Sequence, residues 1–133
     1  MKTIEKIALA VIKDKKVLMA RSRKNASVFY MLGGKIEEGE TDEECLVREI
    51  KEEVDAGIAK DSLVFLGALS ANAHDKADTI IVIRLYKGEL RSAPVASSEV
   101  AEIAYFDSSI PEKHQSELGN QVLSFLKKKG FIN

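Results

Sequence analysis

Apolar residues occupy both alternating faces of residues 4–12, with Ile7, Leu9 and Val11 on one side and Ala8, Ala10 and Ile12 on the other. A segment with no polar face predicts a strand covered on both sides, and hence a central strand. The polar run Lys13-Asp14-Lys15-Lys16 then reads as a turn, and residues 17–21 as a second strand pairing with the first in a hairpin. Residues 28–32 form a further short strand, which the glycines Gly33 and Gly34 are expected to stop, opening a loop.

Thr41 followed by Glu44 has capping-box spacing, and the period changes there from two to 3.6. A helix is predicted over residues 42–54. Residues 63–70 and 79–86 are rich in Val, Ile and Leu and form a second strand–loop–strand unit; residues 103–106 are another short strand. After Pro111, residues 115–129 carry Leu118, Val122, Leu123, Phe125 and Leu126 at helical spacing. Strands and helices mixed in this order predict one α/β domain over residues 1–133, with helices on both sides of a mixed sheet.

Composition changes this picture little. The chain has 133 residues, 45% hydrophobic and 31% charged, as an ordinary globular domain has. Twenty Lys and Arg against twenty-one Asp and Glu give a formal net charge of −1. No global field therefore draws the chain to nucleic acid or anionic lipid, and phosphate binding has to be local. The single Cys45 forms no internal disulfide, and neither a signal-peptide pattern nor a membrane-length apolar run is present. A cytoplasmic setting is the expectation, without membrane association.

The chemistry concentrates on the first helix. Steps of about 100° per residue place Leu46, Val47, Ile50 and Val54 on one arc and Glu49, Glu52 and Glu53 on another. Carboxylates at i, i+3 and i+4 emerge as neighbours and repel. A hard cation such as Mg²⁺, which takes oxygen ligands, would account for the grouping. A solvated face braced by ion pairs among Glu44, Arg48 and Glu52 is the competing reading.

Gly34-Lys35-Ile36-Glu37-Glu38-Gly39-Glu40, followed by seven residues and Arg48-Glu49-Ile50-Lys51-Glu52-Glu53, resembles the signature of the Nudix hydrolase family, and Phe29-Tyr30-Met31-Leu32-Gly33-Gly34-Lys35-Ile36-Glu37 resembles the entry common in its MutT-like members. That signature is written G-x5-E-x7-R-E-U-x-E-E-x-G-U, with U a bulky aliphatic residue. Gly34, Glu40, Arg48, Glu49, Glu52 and Glu53 hold its defining positions within a box at about residues 34–56. Two departures stand out. Leu32 replaces a proline frequent before the paired glycines, and Asp55-Ala56 replaces the terminal Gly-U pair. A helix prolonged to use Gly57 as its left-handed stop, with Ile58 as the apolar contact, is one way to absorb the second.

The resemblance implies the Nudix fold, an α/β/α sandwich with a mixed sheet between helices. It implies Mg²⁺, with Mn²⁺ as a substitute, held by Glu49, Glu52, Glu53 and the Gly34 carbonyl, while Glu40 and Arg48 brace the loop against the helix. The implied reaction is hydrolysis of a phosphoanhydride in a nucleoside diphosphate linked to another moiety, with a nucleoside triphosphate or oxidised nucleotide as the leading substrate. A Nudix-fold sensor that binds a nucleotide or nucleotide sugar without cutting it is the alternative. An acidic helix docking a basic protein partner is a third.

The general base varies among such proteins, and Glu49, Glu99 and Glu102 are all candidates here. Arg21 and Arg23 are either phosphate ligands or solvated strand-end arginines. Tyr30 and Phe29 either stack on a base or pack. Asn120 resembles a base-contacting asparagine. His74 and His114 lack metal-ligand spacing and read as surface residues. Cys45 reads as a small buried residue on the helix. The expected partner is a small-molecule nucleotide, and the chain is either a monomer or a homodimer.

Overall fold

The computed structural model describes residues 1–73 and 76–133; His74 lies outside them. Among the described residues seven strands and two helices follow in the order β1 (Lys2–Ala10), β2 (Ile12–Lys13), β3 (Lys16–Ser22), β4 (Phe29–Lys35), α1 (Asp42–Val54), β5 (Ile58–Asn72), β6 (Thr79–Leu90), β7 (Val100–Phe106) and α2 (Glu117–Lys128). A 3-10 turn, Glu112–His114, precedes α2. The strands form a mixed sheet in the order β2-β3-β4-β1-β6-β5, with β7 paired to β3. β1 runs parallel to β6 and antiparallel to β4, so it is the central strand that its apolar faces predict.

Each face of β1 serves a different core. Ile7, Leu9 and Val11 join Leu18, Leu32 and the α1 residues Cys45, Leu46, Ile50 and Val54. Ala8 and Ala10 join Val17, Met19, Met31 and the α2 residues Leu118, Val122, Leu123 and Leu126. The helices therefore cover opposite faces of one mixed sheet. Burial of a Leu or Ile side chain contributes about 1.5–3 kcal/mol, so these two clusters are what hold the three layers together.

Local chemistry fixes the connections. Asp14 and Lys15 both take positive φ, 51° and 62°, as a two-residue hairpin turn requires. Thr41 and Glu44 form the capping box: the Glu44 N–H donates to Thr41 Oγ1 at 3.1 Å and the Thr41 N–H to Glu44 Oε1 at 2.9 Å. α2 starts later than its apolar spacing suggests, because the Ser116 hydroxyl accepts from the Gly119 N–H and makes Ser116 the cap.

Two expectations need correction. Gly33 and Gly34 do not stop the strand; β4 runs through them to Lys35, with Gly33 opposite Ala8 and Gly34 opposite Ile7. Gly33 has φ 131°, and a Cβ there would collide with the Ile7 carbonyl, so glycine here permits a close strand pairing rather than a turn. Nor does α1 extend to Gly57. Asp55 is itself the left-handed cap, with φ 50° and ψ 45°, and its N–H donates to the Lys51 carbonyl. Aspartate is among the few side-chain-bearing residues that visit this region readily. The adjacent Ala56 is buried in place of a bulkier aliphatic group.

Several strands also exceed their sequence limits. β5 and β6 reach Ile58–Asn72 and Thr79–Leu90, and β7 begins at Val100. Apart from the buried Ile58, Gly88 and Val100, their added residues are polar or at least partly exposed, so burial period alone does not mark them as strand.

Candidate active site

The glycine-bearing end of β4 and the acidic face of α1 meet because Gly34 has no side chain. A Cβ on Gly34 would run into the Glu49 carboxylate, so that carboxylate lies directly against the strand backbone. Glu53, one helical turn later, accepts the Gly33 N–H on Oε1 at 2.9 Å. Glu52 faces solvent beside them.

Arg48 organises the entry loop. Its Nε and Nη2 donate to the two Glu40 oxygens at 2.8 and 3.0 Å, Nη1 donates to Glu49 Oε1 at 2.6 Å, and Nη2 also reaches the Lys35 carbonyl at 3.2 Å. Glu40 additionally accepts the Glu37 N–H at 2.9 Å. Such bidentate, charge-assisted contacts fix orientation as well as adding energy. They hold the Glu40 carboxyl at about 2, chiefly through the Arg48 hydrogen bonds. The ion-pair ladder Glu44–Arg48–Glu52 does not form, because Arg48 turns across the loop to Glu40, Glu49 and Glu37.

The electrostatics of the carboxylates differ from those of an ordinary charged surface. Burial pushes the Glu53 carboxyl up to about 8, and Glu49 and Glu52 add to the rise, opposed by the Gly33 N–H and by Lys6. Glu49 is also raised, mainly by burial, despite its bond to Arg48. The Tyr30 hydroxyl is raised to about 12, chiefly by burial and then by the charges of Glu53, Glu49 and Glu99.

A hard divalent cation fits this donor set. The side chains grouped there offer oxygen donors, and a bound cation would offset both the burial of the Glu53 carboxyl and its crowding by Glu49 and Glu52. Among the described residues no three acidic, Cys or His side chains already converge into a cage. Mg²⁺ needs none, since it is held by one or two carboxylates together with substrate phosphates and water.

The remaining candidates separate. Arg21 pairs with Glu102 at 2.7 Å and donates to the Ala26 carbonyl at 3.3 Å, leaving its Nε buried without a partner among the described residues. Arg23 Nε donates to the Ser98 carbonyl at 3.2 Å and its N–H to the Glu99 carbonyl at 2.8 Å. Asn120 lies on α2, in the layer opposite α1, and no hydrogen bond joins its side chain to the carboxylates among the described residues. His114 is exposed, with Nδ1 3.4 Å from the Ser27 carbonyl. Cys45 is fully buried, as expected, with its thiol pushed up to about 11 chiefly by burial.

One element of the site has no sequence signal. The segment before β7 is tied to the C-terminal end of α1, the Val95 N–H donating to the Val54 carbonyl at 2.9 Å and the Ser97 N–H to the Glu53 carbonyl at 3.0 Å. These bonds satisfy helix carbonyls that otherwise lack partners. They also anchor the run leading to Glu99, whose carbonyl accepts the Arg23 N–H at 2.8 Å. Backbone-to-backbone bonds between distant segments leave no residue pattern to read.

Comparison with known proteins agrees with this geometry. The family described as NUDIX domain matches residues 4–120. An ADP-ribose pyrophosphatase from Methanocaldococcus jannaschii is 34% identical over 101 residues, covering 71% of this chain and 56% of that protein. The chain thus spans little more than half the length of that relative. A MutT NUDIX hydrolase from Burkholderia pseudomallei superposes with a TM-score of 0.79 at 14% identity, covering 95% of this chain and 99% of the other. The dihydroneopterin triphosphate pyrophosphohydrolase of E. coli does so with 0.72 at 18%, covering 93% and 96%. At those identities the two structures bear on the fold alone. With the family match running from β1 into α2 and the signature residues gathered at the β4–α1 contact, the chain belongs to the Nudix hydrolase family.

Proposed function

We propose that the chain hydrolyses a phosphoanhydride bond in a nucleoside diphosphate linked to another moiety, using a divalent cation, Mg²⁺ in the first instance, at the β4–α1 contact. The observation that carries this reading is the packing of two α1 carboxylates on the paired glycines of β4, Glu49 where a Gly34 Cβ would lie and Glu53 accepting the Gly33 N–H at 2.9 Å, with burial also pushing the Glu53 carboxyl up. Perturbed acids of this kind concentrate at functional sites. A merely solvated face would show nothing similar.

Glu49, Glu52, Glu53 and the Gly34 carbonyl would hold the cation, which supplies charge neutralisation and polarisation of the diphosphate when bound. Arg48 fixes the Glu49 carboxylate, and the Gly33 N–H fixes Glu53. Water attacks one phosphorus, the bridging P–O bond breaks, and the water proton passes to a carboxylate. Glu99 is the favoured acceptor over Glu102. Its charge reaches Tyr30 with those of Glu49 and Glu53, whereas Glu102 is paired with Arg21.

Two linked groups are in play. The resemblance to MutT-like proteins favours a nucleoside triphosphate or an oxidised nucleotide, and the 34% relative brings in ADP-ribose. The test is turnover of nucleoside triphosphates, oxidised nucleotides and ADP-ribose with Mg²⁺ and with chelator, products identified. Glu52→Gln and Glu53→Gln should each abolish metal-dependent hydrolysis in a folded protein. Full activity in both variants would defeat the proposal, and binding without any turnover by the parent would favour a sensor.

A further inference from the structure

β5 stands at one end of the sheet and pairs on its inner side with β6; among the described residues nothing pairs with its outer side. Long edges are commonly blunted by charges, prolines, bulges or a covering segment. Here Lys60 and Asp61 stand at one end only, and residues 62–72 hold neither a charge nor a proline. Within that run Val64 and Phe65 leave 51% and 53% of their surface to solvent. A bare row of backbone donors and acceptors is completed by another strand, and the side chains beside it call for an apolar one.

The bulge between Phe65 and Gly67 indicates which strand that is, because it resets the alternation of side chains. Phe65 and Ala68 face α1: they lie opposite Tyr86 and Arg84, which both bond to Asp42. Val64, Leu66, Gly67 and Leu69 face α2. Val64 is opposite Lys87, whose Nζ lies over the Phe131 ring; Leu66 and Leu69 pack on the α2 core, and a Cβ on Gly67 would meet the Phe125 ring. Phe65 and Ala68 thus share a side, which three steps of a regular strand would forbid. We propose that the outer edge of β5 pairs antiparallel with β5 of a second copy of this chain, about a two-fold axis between Leu66 and Gly67.

In that register Phe65 lies against Ala68 of the second copy, Leu66 against its Gly67, Val64 against its Leu69 and Leu63, which packs on the α1 core, against its Ser70. Each pair falls on one side of the sheet, as directly opposite residues must. Phe65, Leu66 and Leu63 each meet a small residue, and Val64 meets an apolar one. Lys60 and Asp61 fall opposite Ala73 and Asn72, so no like charges face each other. Pairing over residues 61–72 runs for about 40 Å. It occupies this edge in both copies, so assembly closes at two instead of growing into a fibre. Both α1 helices then lie on the same face of one joined sheet. The inference does not depend on the reaction that the chain catalyses.

Light scattering on the whole chain after size separation, over a range of concentrations, should show a mass that rises to twice that of the monomer. Phe65→Lys acts twice in a two-fold pair and should raise the dimer dissociation constant about tenfold or more. Adding Ala68→Glu to that variant sets opposite charges face to face across the axis and should restore most of the loss, which a merely sticky patch would not do. Melting curves establish that each variant is folded. If Phe65→Lys does not fold, Val64→Lys, at a position just as exposed, should weaken the dimer in the same way. A monomer at every concentration, open-ended aggregates in place of a dimer, a dimer left intact by a folded Phe65→Lys or Val64→Lys, or a loss that Ala68→Glu does not reverse would overturn the assignment.

Discussion

Arg84 on β6 grips Asp42, the first residue of α1, through two hydrogen bonds of 2.9 Å each, across 42 positions of sequence. The Tyr86 hydroxyl donates to the same carboxylate at 2.7 Å, and Arg84 also pairs with Glu5 of β1 at 2.7 Å. The start of the acidic helix is thereby fastened to two central strands.

Replacing Asp42 by Asn should cost about 2 kcal/mol at neutral pH, the scale of hydrogen bonds to charged groups, and lower the melting temperature by several degrees. The Asp42 carboxyl is depressed chiefly by the Arg84 hydrogen bonds. A depressed carboxyl stabilises the fold fully above its ordinary value of about 4 and loses that contribution as pH falls through the native value. The gap between parent and variant should therefore hold at neutral pH and close in strong acid. A gap that widens toward acid would contradict the assignment.

Gly34→Ala inserts a methyl where the Glu49 carboxylate lies. A displacement of about 1 Å at a reacting site can cost on the order of 100-fold, so kcat/KM should fall by that order while the thermal midpoint moves little. Steady-state kinetics beside a melting curve separate the two effects.

Glu53→Gln keeps an oxygen to accept the Gly33 N–H and removes a carboxylate crowded by Glu49 and Glu52. In chelator the variant should melt above the parent while hydrolysing nothing. A lower melting temperature would mean that the Glu53 charge is compensated by something else.

For the proton acceptor, Glu99→Gln should reduce kcat by about 10² to 10⁴, the usual contribution of a general base, and Glu102→Gln by far less. The opposite order would move the role to Glu102 and away from the segment tied to α1.

At the end of α1, Asp55→Val should destabilise by about 1–2 kcal/mol, because a β-branched residue is strained in the left-handed region. Asp55→Gly should be near neutral: glycine relieves the backbone, while the exposed Lys51–Asp55 pair, which contributes little, is lost. Urea denaturation of both variants measures the difference.

These residues also mark what a sequence can convey. The two-sided burial of Ile7 to Ala10, the Thr41–Glu44 box and the shared face of Glu49, Glu52 and Glu53 are local periodicities, legible because each repeats within one element. The Asp42–Arg84 pair and the Val95 and Ser97 bonds to α1 join segments that nothing local relates. Gly33 and Gly34 have the residue types of a turn, yet the partner strand decides their conformation. Glu99 and Glu102 look equivalent in sequence and separate only once β7 aligns Glu102 with Arg21.

The alternation along β1 is unequal in size: Ile7 and Leu9 point to the α1 core, Ala8 and Ala10 to the α2 core. A one-residue slip against β6 would drive the bulky pair into space shaped for methyl groups and leave voids under α1. Overpacking costs about 1–3 kcal/mol per site and large cavities at least as much. Side-chain volume thus acts as a ratchet on the parallel β1–β6 pairing, and it holds Gly33 and Gly34, which pair with Ala8 and Ile7, level with the carboxylates of α1.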